Sequence, residues 1–189
     1  GAVEVLVNPH HQLLSKEELL ALDGIDLEAS LTNISDLLLA QNQMLATAES
    51  CTGGMIAHLI TQVPGASETL VESAVTYSND AKMRRVGVKR ETLEKHGAVS
   101  EACVREMVAG IAKESGADLC VSVSGVAGPT GGRPGEPVGR VCLAWAERTG
   151  GCEALTCQFA GTRAEVREQA VRLALSGALK RVMAATRMA

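Results

Sequence analysis

Apolar residues first recur at helical spacing where Leu27, Leu31, Ile34 and Leu38 fall on one face, predicting a helix that begins near Asp26. After Gln43 the period changes. Residues 44–48 form a short apolar run that reads as a buried strand. The polar turn Glu49-Ser50-Cys51-Thr52-Gly53-Gly54 follows, then a helical stretch over 55–63. Pro64-Gly65 punctuates the chain, and residues 73–77 read as a second strand. Asn79 or Asp80 is placed to cap a short basic helix carrying Lys82. Ser100 opens another helix, with Val104, Met107, Val108 and Ile111 as its apolar face. Residues 119–126 are a β-rich run ending in a glycine loop over 125–132. Two further strand-like runs, 139–146 and 153–160, are consecutive, which predicts an antiparallel hairpin. Thr162-Arg163-Ala164-Glu165 is a capping box that starts a long closing helix, with Val166, Ala170, Leu173 and Gly177 on one face.

Strands alternating with helices, and helices at both ends, predict an α/β fold. The expected architecture is a three-layer sandwich, with a mixed, mostly parallel sheet and helices on both faces. The 189 residues suit one domain, large enough to bury a core without disulfides or a structural metal. Residues 1–25 read as an N-terminal appendage: Ser15-Lys16-Glu17-Glu18 is a capping box, with a short apolar helix behind it and Gly24 as its stop. The domain proper is expected over 26–189.

Composition narrows the function. Hydrophobic residues make up 46% and charged residues 21%, which excludes wholesale disorder. Aromatic residues are only 2%, so the core is built from aliphatic side chains and there are almost no rings on which to stack nucleic-acid bases. The balance of 18 basic against 22 acidic residues argues the same way. Lys82, Arg84, Arg85, Lys89 and Arg90 form the densest basic cluster, and it reads as one solvated helix face. Six cysteines lie mostly in apolar runs without a Cys-x-x-Cys, as small hydrophobes in a reducing compartment. The uncharged stretch 50–67 is broken by Gly53-Gly54, His58 and Pro64-Gly65 and is no membrane span. The N-terminus lacks a basic region followed by an apolar one. A cytoplasmic protein with neither nucleic-acid nor membrane partners is expected.

Four places carry candidate chemistry. Ser50, Thr52, Gly53 and Gly54 put two hydroxyls and two permissive glycines at a helix N-terminus, where free N–H groups favour an anion or an oxyanion, or simply form an N-cap. No Lys follows the glycines, so the turn is not a Walker loop, nor is it a Gly-x-Ser-x-Gly elbow. Lys82 follows Tyr77-Ser78-Asn79-Asp80-Ala81 at a strand end. It could activate a serine if burial brought its pKa towards ~7–8, or it is an ordinary solvated helix lysine. The 125–132 loop, heavy in glycine, either cradles a phosphate or turns the chain. Arg163 stands in the first turn of a helix, where it opposes the macrodipole unless an anion or a carboxylate joins it. The histidines, His10, His11, His58 and His96, suggest neither a metal site nor a Ser–His–Asp set, and no metal or cofactor is expected.

Taken together and in order, several motifs resemble one family. They are Ala48-Glu49-Ser50-Cys51-Thr52-Gly53-Gly54, Tyr77-x-Asn79-x-x-Lys82, Gly97-Ala98-Val99-Ser100, Ser124-Gly125-Val126-Ala127-Gly128-Pro129-Thr130-Gly131-Gly132, Pro137-Val138-Gly139 and Gly161-x-Arg163. Their order and spacing resemble the C-terminal domain of the CinA (competence/damage-inducible) family, whose characterised members are nicotinamide-nucleotide amidohydrolases. The resemblance implies hydrolysis of the carboxamide of nicotinamide mononucleotide to nicotinic acid mononucleotide and ammonia, without a metal. It implies Ser50 as nucleophile, Lys82 as its base, and Tyr77 as a third member that orients or shuttles the proton. Peptide N–H groups near Gly53-Gly54 or in the glycine loop would hold the oxyanion. Thr52, Gly53, Gly54, Asn79, Ser124, Gly125, Gly128 and Arg163 would contact substrate, with Arg163 on the phosphate and the ring against Tyr77 or aliphatic walls such as Met55. Ser124 stands where the family often has Thr. Larger members carry a further nucleotide-pyrophosphatase-like domain that these 189 residues do not include. A homodimer is expected. The competing readings are a non-catalytic module that binds a phosphorylated ligand, and a Ser–Lys amidase for another small amide.

Overall fold

A computed structural model describes residues 3–6 and 26–188 of the chain. The elements, in order, are β1 (Val3–Leu6), α1 (Leu27–Ala40), β2 (Leu45–Glu49), α2 (Met55–Ile60), a 3-10 turn (Ala66–Glu68) and β3 (Leu70–Val75). Then come α3 (Asn79–Val86), α4 (Arg90–His96), α5 (Glu101–Ser115), β4 (Leu119–Gly125), β5 (Arg140–Glu147), β6 (Cys152–Phe159) and α6 (Arg163–Met188). The strands form a single sheet in the order β1-β6-β5-β4-β2-β3. It is mixed, with helices on both faces. Parallel pairing is confined to β4-β2-β3, and the β1, β6 and β5 side is antiparallel. β1 falls within the segment expected to be an appendage, yet it pairs with β6. The capping box at Ser15 and its helix, with His10 and His11, lie outside the described residues.

The two faces of the sheet differ in side-chain size, and that difference sets the layers. One face presents Leu119, Val121, Val123, Leu143, Trp145 and Leu155 to α1, α2 and α6. The other presents Ala46, Ala48, Cys120, Cys142, Ala144 and Ala154 to α3 and α5. Small side chains let α5 lie close, and Ser122 Oγ donates to Val104 O at 2.7 Å. All six cysteines are free, and only Cys152 is not fully buried. Helix ends follow local chemistry. Asp26 Oδ1 accepts from Ala29 N at 3.0 Å, and Ser100 Oγ from Cys103 N at 3.1 Å. Thr162 and Glu165 exchange the reciprocal bonds of a capping box.

Three local expectations change. Ser78, and neither Asn79 nor Asp80, caps α3, because its extended backbone lets Oγ reach Ala81 N at 3.1 Å. The basic cluster is not one solvated face: Gly87, at φ 70°, ends α3 and α4 restarts after it, while Lys82 points into the protein. Residues 61–63 leave the helix, so α2 stops at Ile60.

The sole Trp of the chain, Trp145, is fully buried and its Nε1 donates to Ala174 O at 3.0 Å. It can lie against α6 only because Gly177 has no side chain, since a Cβ there would enter the indole ring. The small-residue face of α6 is thus used within the chain. Ala in place of Gly inside a helix normally stabilises by up to ~1 kcal/mol. Gly177→Ala is expected to do the reverse, lowering unfolding free energy by about 1–3 kcal/mol through overpacking. Urea unfolding followed by Trp145 fluorescence measures this, and a midpoint at or above wild type would contradict it.

Candidate active site

The connections after β2 and β3 leave the sheet on opposite faces, α2 on one and α3 on the other. A crevice therefore opens beyond the carboxyl ends of these strands, the usual binding position in open α/β sheets. The cleft there has a volume of about 260 Å³. Ser50 and Cys51 enter it from the β2 end. Tyr77, Asn79 and Lys82 come from the β3 end, and Ser124 to Gly128 from the β4 end. Arg163, at the start of α6, closes one side.

Lys82 reaches the cleft floor from the first turn of α3 and is only 2% exposed. Its Nζ donates to Thr76 O at 2.9 Å, Tyr77 O at 3.1 Å and Ser50 Oγ at 3.1 Å. No carboxylate is among these partners. Burial therefore dominates and pulls the lysine below its ordinary value of 10.5, because charging it in place of solvation costs free energy. In the neutral amine the two carbonyls hold the two N–H groups, which leaves the lone pair for the Ser50 hydroxyl. Cys51, beside Ser50, also lines the cleft. Burial pushes its thiol up to about 12, outweighing its own peptide N–H and the nearby Arg167 and Lys82, so it stays protonated.

Glu49, one residue before Ser50, is fully buried and anchors the turn, which sequence reasoning missed. Its Oε1 accepts from Thr52 Oγ1 at 2.7 Å and Ile56 N at 3.0 Å. Its Oε2 accepts from Thr47 Oγ1 at 3.1 Å, Ala57 N at 3.1 Å and Ser73 Oγ at 3.2 Å. The helix N-terminus that the sequence offered to an anion is thus filled by the protein's own carboxylate. Thr52 is fully buried on Glu49, and Gly53 and Gly54 face Arg167 and Val75, so none of the three lines the cleft. Met55 packs against the core instead of the cleft.

Tyr77 is 58% exposed at the mouth of the cleft, where Arg163 NH2 donates to its phenol oxygen at 3.2 Å. It is the Tyr77 carbonyl, and not the phenol, that contacts Lys82 and accepts from Ser50 Oγ at 3.5 Å. Arg163 also donates to Gly128 O at 2.8 Å, tying the glycine loop to α6. Ser124 is 2% exposed on the wall, while Asn79 is exposed. The loop adds two residues not singled out from sequence. Arg133 Nε lies 3.3 Å from Glu136 Oε2, and Glu136 Oε1 accepts from Val99 N at 3.4 Å. Gly97, at φ +80° and ψ 169°, holds a conformation that favours glycine, and the Glu136 carboxylate lies where a Cβ would stand. Among the described residues, no three His, Cys, Asp or Glu side chains are grouped to hold a metal ion, and no helix is long and apolar enough to cross a membrane.

Fold and cleft together define an α/β domain with a serine–lysine pair buried at the carboxyl ends of its parallel strands. The model of the CinA C-terminal domain matches residues 27–182, and the chain belongs to that family. A CinA-like protein of Thermotoga sp. (strain RQ2) is 48% identical over 146 residues, covering 76% of this chain and 35% of that protein. One from Kosmotoga olearia is 43% identical over 152 residues, 80% of this chain and 37% of that protein. The chain thus spans about a third of the length of these curated relatives. Among solved structures, a CinA superfamily protein from Klebsiella pneumoniae 700603 superposes with a TM-score of 0.80 at 38% identity, covering 84% of this chain and 99% of that one. The competence/damage inducible protein CihA from Agrobacterium tumefaciens gives a TM-score of 0.77 at 40% identity, with 80% and 93% covered.

Each Glu49 oxygen accepts one peptide N–H, so an amide in its place must set its NH2 against Ile56 N or Ala57 N whichever way it turns. Glu49→Gln is expected to lose about 1–3 kcal/mol of stability. Chemical denaturation measures this, and an unchanged midpoint would show that the carboxylate is not the anchor.

Proposed function

We propose that this domain hydrolyses the carboxamide of nicotinamide mononucleotide to nicotinic acid mononucleotide and ammonia. Lys82 Nζ lying 3.1 Å from Ser50 Oγ, out of water and without a carboxylate partner, carries the reading. In the reactive state, neutral Lys82 takes the Ser50 proton as Oγ bonds to the carboxamide carbon. The resulting lysine ammonium returns that proton to the amide nitrogen as the C–N bond breaks, and ammonia leaves from the tetrahedral intermediate. Water then attacks the Ser50 ester, gives its proton to Lys82, and the C–O bond opens. Lys82 returns that proton to Oγ, and the carboxylic acid product loses its own proton to solvent and departs as the carboxylate. Peptide N–H groups of the cleft wall, from Cys51 or the glycine loop, would hold the oxyanion.

The residues at the cleft mouth support a phosphorylated substrate. Arg163 lines the cleft with Arg133, which is paired with Glu136. In this reading Arg163 takes the phosphate, and Tyr77, Asn79, Ser124, Gly125 and Gly128 contact the nucleoside. Tyr77 orients the pair through its carbonyl, while its phenol meets Arg163. The absence of a wide aromatic wall fits tight phosphate binding with weak ring binding.

Ammonia release from nicotinamide mononucleotide tests the reading. Ser50→Ala and Lys82→Ala are each expected to lower kcat about 10²–10⁴-fold while remaining folded. Arg163→Ala should act mainly on KM. Protonating Lys82 removes the base, so kcat/KM should rise with pH through a limb that lies below the ordinary 10.5 and vanishes in Lys82→Ala. A wild type that binds the nucleotide without turnover would leave a binding module. Turnover of a different amide alone would move the substrate and keep the chemistry.

A further inference from the structure

We propose that Arg167 is a positioning residue that holds the nucleophile turn in register with Lys82. This rests on Ser50 being the nucleophile, as proposed above. Arg167 sits one helical turn beyond Arg163 on α6, half-buried. Its Nε donates to Cys51 O at 3.0 Å and its NH2 to Thr52 O at 3.2 Å. A planar guanidinium fork thus grips two consecutive peptide groups directly after Ser50.

The grip passes to Ser50 through peptide geometry. In a trans peptide the N–H points opposite the C=O, so fixing Thr52 O fixes the Gly53 N–H. That N–H donates to Ser50 O at 2.9 Å, closing the turn on the nucleophile's own carbonyl. Gly53 adopts φ +60°, a left-handed conformation that favours glycine and lets the turn close beside the guanidinium. Meanwhile Ser50 N donates to Val123 O at 3.0 Å. The residue is held by the sheet on its amide side and by α6 on its carbonyl side. Arg163 ties the glycine loop to the same helix through Gly128 O. One turn of α6 therefore fixes both walls of the cleft, and Arg167 serves the reacting serine.

Misplacement by about 1 Å costs on the order of a hundredfold in rate. Arg167→Met is therefore expected to lower kcat on nicotinamide mononucleotide by about a hundredfold with KM changed less than threefold. Arg167→Lys keeps the charge but cannot grip both carbonyls, and should recover only part of the loss. Two readouts do not depend on the substrate: labelling of Ser50 by a fluorophosphonate, and deuterium exchange at the Gly53 amide. Labelling should slow and exchange should quicken at least tenfold in Arg167→Met. If wild type leaves nicotinamide mononucleotide intact but shows these two changes on substitution, the substrate reading fails and the positioning role stands. Wild-type kcat, labelling and exchange in either variant would overturn the role, as would a loss confined to KM. Should Arg167→Met fail to fold, Arg167→Lys decides alone, and equality with wild type overturns the proposal.

Discussion

An amine withdrawn from water is the constraint on which the rest of this structure depends. Lys82 Nζ is surrounded by two main-chain carbonyls and one hydroxyl, with no opposite charge to stabilise its ammonium. Such a group persists only where the backbone over-determines its surroundings, because water would otherwise reach it and restore its ordinary basicity. Both carbonyls come from the segment between β3 and α3, and that segment is tied to β2 by Thr76 N donating to Glu49 O at 2.8 Å. Glu49 in turn fixes α2 through its side chain. The same residue thus links the strand that leads into Ser50 to the strand that leads into Lys82.

The two-faced sheet makes this burial possible. Small side chains on the α3 and α5 face bring those helices close, to the point that a Cβ at Gly110 would enter the Val86 carbonyl. That contact sets α3 down against the domain and drives Lys82 inward along the helix floor. On the opposite face, larger side chains pack against α6, with Trp145 lying on its Gly177. From there α6 reaches both cleft loops with arginine side chains.

Much of this was legible along the chain. The helical face of Leu27, Leu31, Ile34 and Leu38, the caps at Asp26 and Ser100, and the hairpin of β5 and β6 all announce themselves through local spacing. The reactive residue types at 50, 77, 82 and 163 were visible too, and the cleft contains all four. What escaped was anything decided by main-chain acceptors or by long-range pairing. Arg167 binds two carbonyls, which every residue possesses, so no sequence pattern marks its partners. Glu49 finds donors on β2, β3 and α2, elements whose adjacency only the sheet order creates. Tyr77 contributes its carbonyl where its ring drew attention. Thr52, Gly53 and Gly54 looked like ligand contacts because helix N-termini commonly hold anions, and here a buried carboxylate already does so.

The central claim is that burial lowers the Lys82 pKa from its ordinary 10.5 and so favours the neutral amine that the serine needs. Titration of the Lys82 ε-methylene by carbon-detected NMR on lysine-labelled protein, assigned with Lys82→Arg, measures this without reference to any substrate. The account predicts a midpoint clearly below the ordinary 10.5. A Lys82 midpoint at or above that ordinary value would mean that the ammonium is stable in its site, and the base proposed for Ser50 would not exist.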